Sequence, residues 1–176
     1  MKLKILISIL LISANCLLVQ AKDNQTDELI HIEKTWNMSN LEFEQLKTIS
    51  EDTEIDGLTF KASKDKPIDF ISSKQTLNGI EYSRCVSLGG IGSKNYRSIE
   101  LDVFGVSTIK ITAKSNSSEI RTLKFMDEYG NELGSMKCSS LLTRGTVITE
   151  ETKKIYIYSN DSSISIYEIK LITDNI

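Results

Sequence analysis

The sequence predicts an all-β protein, an antiparallel β-sandwich or jelly roll with one short N-terminal helix. Three observations lead there. Apolar residues recur every second position through most of the chain, as in Ile99, Leu101 and Val103 against Ser98, Glu100 and Asp102. Glycine-containing turn signals separate these runs at short intervals, as in Tyr129-Gly130-Asn131-Glu132. No helical pattern long enough to connect parallel strands occurs, which argues against an α/β fold.

The 176 residues carry a net charge of −3, with 40% hydrophobic and 26% charged residues. This is the composition of an ordinary globular chain with enough apolar surface for a core. The acidic balance argues against nucleic acid as a partner, since such binders carry a basic footprint.

Residues 1–21 read as a signal peptide. Lys2 and Lys4 precede an apolar run from Ile5 to Ile12, and Val19-Gln20-Ala21 supplies a cleavage site. Asn15 and Gln20 interrupt the apolar stretch, which is too short for a membrane span. Lipoprotein processing at Cys16 is the lesser alternative, because Asn15 precedes that cysteine. Loss of Lys2 and Lys4 takes the net charge from −3 to −5. The expected localisation is therefore secreted. Residues 22–33 are mostly polar and read as a spacer, so the folded domain is expected over 34–174.

Each element then follows in order. Ser39 or Asn40 can cap a short helix over 41–46, with Phe43 and Leu46 on one face. Strands are expected at 58–62, 68–71, 80–86, 99–103, 109–113, 120–127, 132–138, 154–158 and 164–172. Gly105 is expected to turn a hairpin between the runs at 99–103 and 109–113. In the last strand Ile164 and Ile166 share one face while Ile169 and Leu171 share the other. That slip predicts a β-bulge near Tyr167 or Glu168.

Catalysis finds little support. The chain has one histidine, His31, and it falls in the spacer, a poor place to hold a catalytic base. Paired carboxylates such as Glu100 and Asp102 read as a solvated strand face. Metal-ligand spacing is missing and no cofactor is implied, although a turn calcium built from Asp and backbone carbonyls is compatible with the pattern. Gly89-Gly90-Ile91-Gly92 lacks the Lys-Ser/Thr and helix of a phosphate loop and reads as a turn. Cys85 and Cys138 lie in strand segments and either bridge, as an oxidising compartment permits, or stay as buried thiols.

Binding is better supported. Tyr82, Tyr96, Tyr129, Tyr156, Tyr158 and Tyr167 are amphipathic aromatics, and Trp36 reads as a core plug. In Ile155-Tyr156-Ile157-Tyr158 one pair must face in and the other out, on what reads as an edge strand. Arg84, Arg97 and Arg121 can each grip a carboxylate through two parallel bonds.

Several motifs, taken in order, resemble a known module. Trp36-Asn37-Met38-Ser39 with Phe43 is similar to its opening, and Ile55-Asp56-Gly57-Leu58-Thr59 to a strand start. Leu88-Gly89-Gly90-Ile91-Gly92-Ser93 is similar to a turn. Arg97 to Val103, Thr108 to Ile111, Arg121-Thr122-Leu123 and Gly130 to Gly134 are similar to its hairpins. Ile155 to Ser159 and Ile164 to Lys170 are similar to its closing strands. Together, over about residues 35–172, the chain resembles the carbohydrate-binding-like β-sandwich appended to bacterial pectate lyases and related polysaccharide-degrading enzymes. The resemblance implies a jelly-roll fold and a non-catalytic protein that binds a plant or microbial polysaccharide, pectic sugars among them. It nominates Arg84, Arg97, Arg121 and Tyr156 as ligand contacts. Glu100, Asp102, Lys110 and Lys124 are charged where the module carries small polar residues. The rival expectation is an adhesin-like sandwich with a protein partner, which an exposed apolar patch would favour.

Overall fold

The computed structural model describes residues 31–149 and 152–174; the expected signal peptide lies outside them. The strands are β1 (His31–Asn37), β2 (Thr48–Ile49), β3 (Thr53–Ile55), β4 (Leu58–Lys61), β5 (Ile68–Leu77), β6 (Ile80–Ser87) and β7 (Ser98–Asp102). They continue as β8 (Ser107–Ser115), β9 (Arg121–Asp127), β10 (Glu132–Cys138), β11 (Thr143–Thr149), β12 (Lys154–Ser159) and β13 (Ile164–Asp174). One helix, α1 (Leu41–Glu44), follows β1.

These strands form two antiparallel sheets. A seven-stranded sheet runs β11-β8-β13-β6-β5-β2, with β1 also paired to β13. A six-stranded sheet runs β10-β9-β12-β7-β4-β3. The expected antiparallel sandwich is therefore observed, with the alternating apolar residues packed between the layers. Ile99, Leu101, Ile109, Ile111, Leu123, Phe125, Ile155 and Ile157 all lie in that core.

The N-terminal segment closes one end of it. Asn40 stands at the N-cap of α1 but makes no side-chain cap bond. Phe43 nevertheless stacks on Phe70 at 5.9 Å between centroids, and Phe60 packs edge-on against Phe70 at 5.2 Å. Packing of an aromatic plug, rather than capping, holds this short helix. Trp36 is buried, and its indole N–H donates to the Asp56 carbonyl at 2.9 Å. Asp56 and Gly57 both take positive φ, as do Asn78 and Gly79. These two-residue turns match the right-handed twist of the hairpins they join, β3–β4 and β5–β6.

The expected bulge is present. The pairing of β13 with β8 shifts between Ile166 and Glu168, leaving Tyr167 as the extra residue. Ile166 and Ile169 then both reach the main core, while Tyr167 joins Tyr82 and Cys85 in a second, smaller cluster.

Several expectations are corrected. Residues 31–33, expected in the spacer, are in β1 and pair with 172–174 of β13. Gly105 turns no hairpin: β7 lies between β12 and β4 in one sheet, and β8 lies between β11 and β13 in the other. The 103–106 connection therefore crosses between layers. β12 is no edge strand, since β9 and β7 flank it. Cys85 and Cys138 are free thiols, buried in different clusters on strands of different sheets. The disulfide reading fails because the layers assign the two side chains to separate packing environments.

Candidate functional site

The outer face of the six-stranded sheet gathers the aromatic and polar side chains best arranged for a ligand. On β12, Ile155, Ile157 and Ser159 are buried, so alternation turns Tyr156 and Tyr158 outward, where both are half-buried. Tyr156 pairs across to Met126 on β9 and Glu100 on β7. Tyr158 pairs to Lys124 and Ser98. One register further, Thr59 faces Glu100 and Lys61 faces Ser98. The two tyrosines thus occupy the middle of a polar surface, with Thr59 and charged side chains around them; Ser98 itself is buried.

Three cations of this face hold carboxylates, while Lys137 donates to the Thr122 hydroxyl instead. Lys154 holds Glu100 and also reaches Asp102 at 3.1 Å, and the bond it donates to Glu100 raises its pKa well above the ordinary lysine value. Lys124 meets Glu132 at 3.0 Å, which likewise raises its pKa. Lys61 pairs with Asp52. Burial, then the neighbouring Glu100 carboxylate, pushes the Tyr156 phenol above its ordinary value.

The connection between β6 and β7 borders this surface. The Gly92 N–H donates to the Ser159 carbonyl at 2.9 Å, docking the loop on the end of β12. Arg97, at the end of the loop, has φ of 49° and its guanidinium lies against Gly89 and Gly90. Its Nε is buried without a hydrogen-bond partner. Positive φ in a non-glycine residue beside an unpartnered nitrogen is strain of a kind that clusters at binding sites.

The four nominated residues do not converge. Tyr156 lies on the face, and Arg97 belongs to the loop at its border. Arg121 begins β9, but its side chain is only 13% exposed and donates to the Ser163 carbonyl at 2.9 Å. Arg84 belongs to the other sheet and donates to the Leu46 carbonyl at 2.6 Å. An arginine cluster is therefore not formed, because two of the guanidiniums anchor backbone carbonyls in separate parts of the fold. Tyr158 and Lys154 are the residues the motif reading passed over. The two-residue alternation contained the signal for Tyr158, since it shares its parity with Tyr156.

Comparison with solved structures places this architecture. The CBM22-1 xylan-binding domain of Paenibacillus barcinonensis Xyn10C superposes with a TM-score of 0.50 at 11% identity, covering 81% of this chain and 95% of that one. The fold is the one seen in that binding module. A chain from the Ruminococcus flavefaciens cellulosome, in a structure concerned with glycan recognition, gives a TM-score of 0.48 at 11% identity, covering 82% of this chain and 97% of that one. The CBM36-1 domain of a multidomain xylanase from a Trinervitermes trinervoides hindgut metagenome gives 0.44 at 9% identity, covering 82% and 100%. No protein-family model matches the sequence, and no curated protein matches it.

Among the described residues, no group of three His, Cys, Asp or Glu side chains is placed to hold a metal ion. No helix among them is long and apolar enough to cross a membrane.

Proposed function

We propose that this protein is a secreted, non-catalytic polysaccharide-binding β-sandwich, and that the outer face of the six-stranded sheet is its binding surface. The observation carrying the proposal is the outward pair Tyr156 and Tyr158 on a central strand, flanked by Thr59, Glu100 and Lys124. Aromatic faces stack on the C–H surfaces of sugar rings, and the polar neighbours bond the hydroxyls. The likeness of the fold to a xylan-binding domain supports a polymeric ligand.

The internal pairing of Lys61, Lys124 and Lys154 favours an uncharged chain over a pectic one. A polygalacturonan would have to displace those carboxylates or bring uncompensated charge against Glu100 and Asp102. Affinity electrophoresis in gels containing xylan, β-glucan, galactan or polygalacturonan tests the proposal. Retardation in at least one neutral-glycan gel, lost in Tyr156→Ala/Tyr158→Ala, is expected. Unretarded migration in every gel overturns it.

A protein partner is the second reading. Phe104, Val106 and Ile148 are 66%, 45% and 64% exposed, and Ile148 pairs with Thr108, two residues beyond Val106. Exposed apolar side chains close in the fold are of the kind found at interfaces. Retention of glycan binding in Phe104→Ser/Ile148→Ser assigns that binding elsewhere.

A further inference from the structure

A second polar site lies on the other sheet, where the β5–β6 hairpin is irregular. Ser72 pairs with Arg84 and Gln75 with Tyr82, so Ser73 and Lys74 together stand opposite Ser83. Such a bulge re-aims side chains and interrupts the ladder. The N–H groups of Ser83 and Arg84 donate instead to Ser39 Oγ, at 3.0 and 3.4 Å. Between the bulge, α1 and Ser39 opens a cleft of about 400 Å³, within the usual range of small-ligand sites, about 300–1,000 Å³. Its walls carry Ser72, Ser73 and Ser83, together with Lys74, Arg84 and Glu44.

Two cations line this cleft. Arg84 Nη2 donates to the Leu46 carbonyl at 2.6 Å and weakly to that of Phe70 at 3.5 Å, which fixes the guanidinium plane. Its Nε is buried and has no partner. Among the described residues neither Arg84 nor Lys74 forms an ion pair. A half-buried guanidinium without a counter-ion, beside an unpaired ammonium, is suited to an incoming oxyanion.

We infer that this cleft binds the carboxylate of an acidic saccharide. Arg84 and Lys74 face the carboxylate, while the Ser72 and Ser83 hydroxyls and Glu44 bond the ring hydroxyls. Glu44 also opposes a second negative charge, which favours a monoanionic carboxylate over a dianionic phosphate. The inference does not rest on the tyrosine face, and it gives Arg84 a ligand away from that face.

Backbone amide NMR titration of the protein with galacturonate, galactose and inorganic phosphate tests it. Galacturonate is expected to shift the amides of residues 72–74, 83 and 84 saturably, with galactose at least tenfold weaker and phosphate weaker than galacturonate. Lys74→Gln is expected to weaken galacturonate binding three- to tenfold. Arg84 also anchors Leu46, so Arg84→Gln can fail to fold; the exposed Lys74 carries the test in that event. Equal responses to galacturonate and galactose, indifference to Lys74→Gln, or tighter binding of phosphate each overturns the assignment. Tyr156→Ala/Tyr158→Ala should leave these shifts unchanged, which separates this site from the polysaccharide surface.

Discussion

Gly92 and Tyr158 are in contact across the edge of the candidate binding face. A Cβ added to Gly92 would stand 2.7 Å from the Tyr158 Cβ and 2.4 Å from the Arg97 carbonyl oxygen. The backbone oxygen cannot swing away as a side chain can. Gly92→Ala is therefore expected to push the loop off β12, at about 1–3 kcal/mol of stability. Urea melts measure that loss, and glycan affinity should fall with it because Tyr158 shifts. An unchanged melt and unchanged affinity would show that the loop relaxes freely.

The two tyrosines should contribute separately. Tyr156→Ala and Tyr158→Ala each remove one stacking surface from a half-buried position, so about a tenfold loss in affinity, or about 1.4 kcal/mol, is expected for each. Tyr156→Phe and Tyr158→Phe keep the ring and should retain most of the binding. Calorimetry with the glycan that retards the protein most strongly distinguishes these variants. A Phe variant as weak as its Ala counterpart would mean that the hydroxyl, and not the ring, makes the contact.

Free thiols predict a specific labelling pattern. Cys85 and Cys138 are both fully buried, and burial raises both pKa values, that of Cys138 to about 11. Neither should react with a maleimide in the folded protein at pH 7, because the thiolate is both scarce and inaccessible. Both should react in denaturant without added reductant. Mass spectrometry counts the adducts; two unlabelled half-cystines in the denatured sample would restore a bridge.

Alkaline pH should weaken the fold in a defined window. Burial holds the Tyr167 phenol at about 12 against an ordinary 10.0, and the Cys138 thiol at about 11 against 9.0. Both folded-state values are raised, so the unfolded chain ionises first. The contribution of Cys138 declines as pH climbs from about 9 to about 11 and that of Tyr167 from about 10 to about 12, by up to about 3 kcal/mol for each group. Tyr167→Phe removes one of the two groups. Its stability should decline less steeply above pH 10 than that of the wild type, even though it loses the hydrogen bond to Ser73. Parallel curves for the two proteins would exclude Tyr167 as a source of the pH dependence.

Several parts of this fold were legible one strand at a time. The run Ile155-Tyr156-Ile157-Tyr158 shows that two side chains go in and two go out. The slip from Ile166 to Ile169 shows a bulge, and Tyr129-Gly130-Asn131-Glu132 shows a hairpin. Asn78-Gly79 is a turn dipeptide as well, and β5 and β6 meet there, although the strand expected at 68–71 stops short of it. The N-terminal strand was missed because His31 to Lys34 alternates weakly; β13 supplies the partner that makes it a strand.

Local pattern alone settled that consecutive residues are extended, where the chain turns and which positions share a face. That followed from the sequence because side-chain parity and turn chemistry are properties of neighbours in the chain. Only the assembled tertiary structure decided that Gly105 crosses between sheets, that β12 is central, that Cys85 and Cys138 pack apart, and that Arg84, Arg97 and Arg121 are dispersed. Each of those outcomes depends on which distant strands pair. The same alternation satisfies several pairings equally well, and the packing of both layers at once selects one.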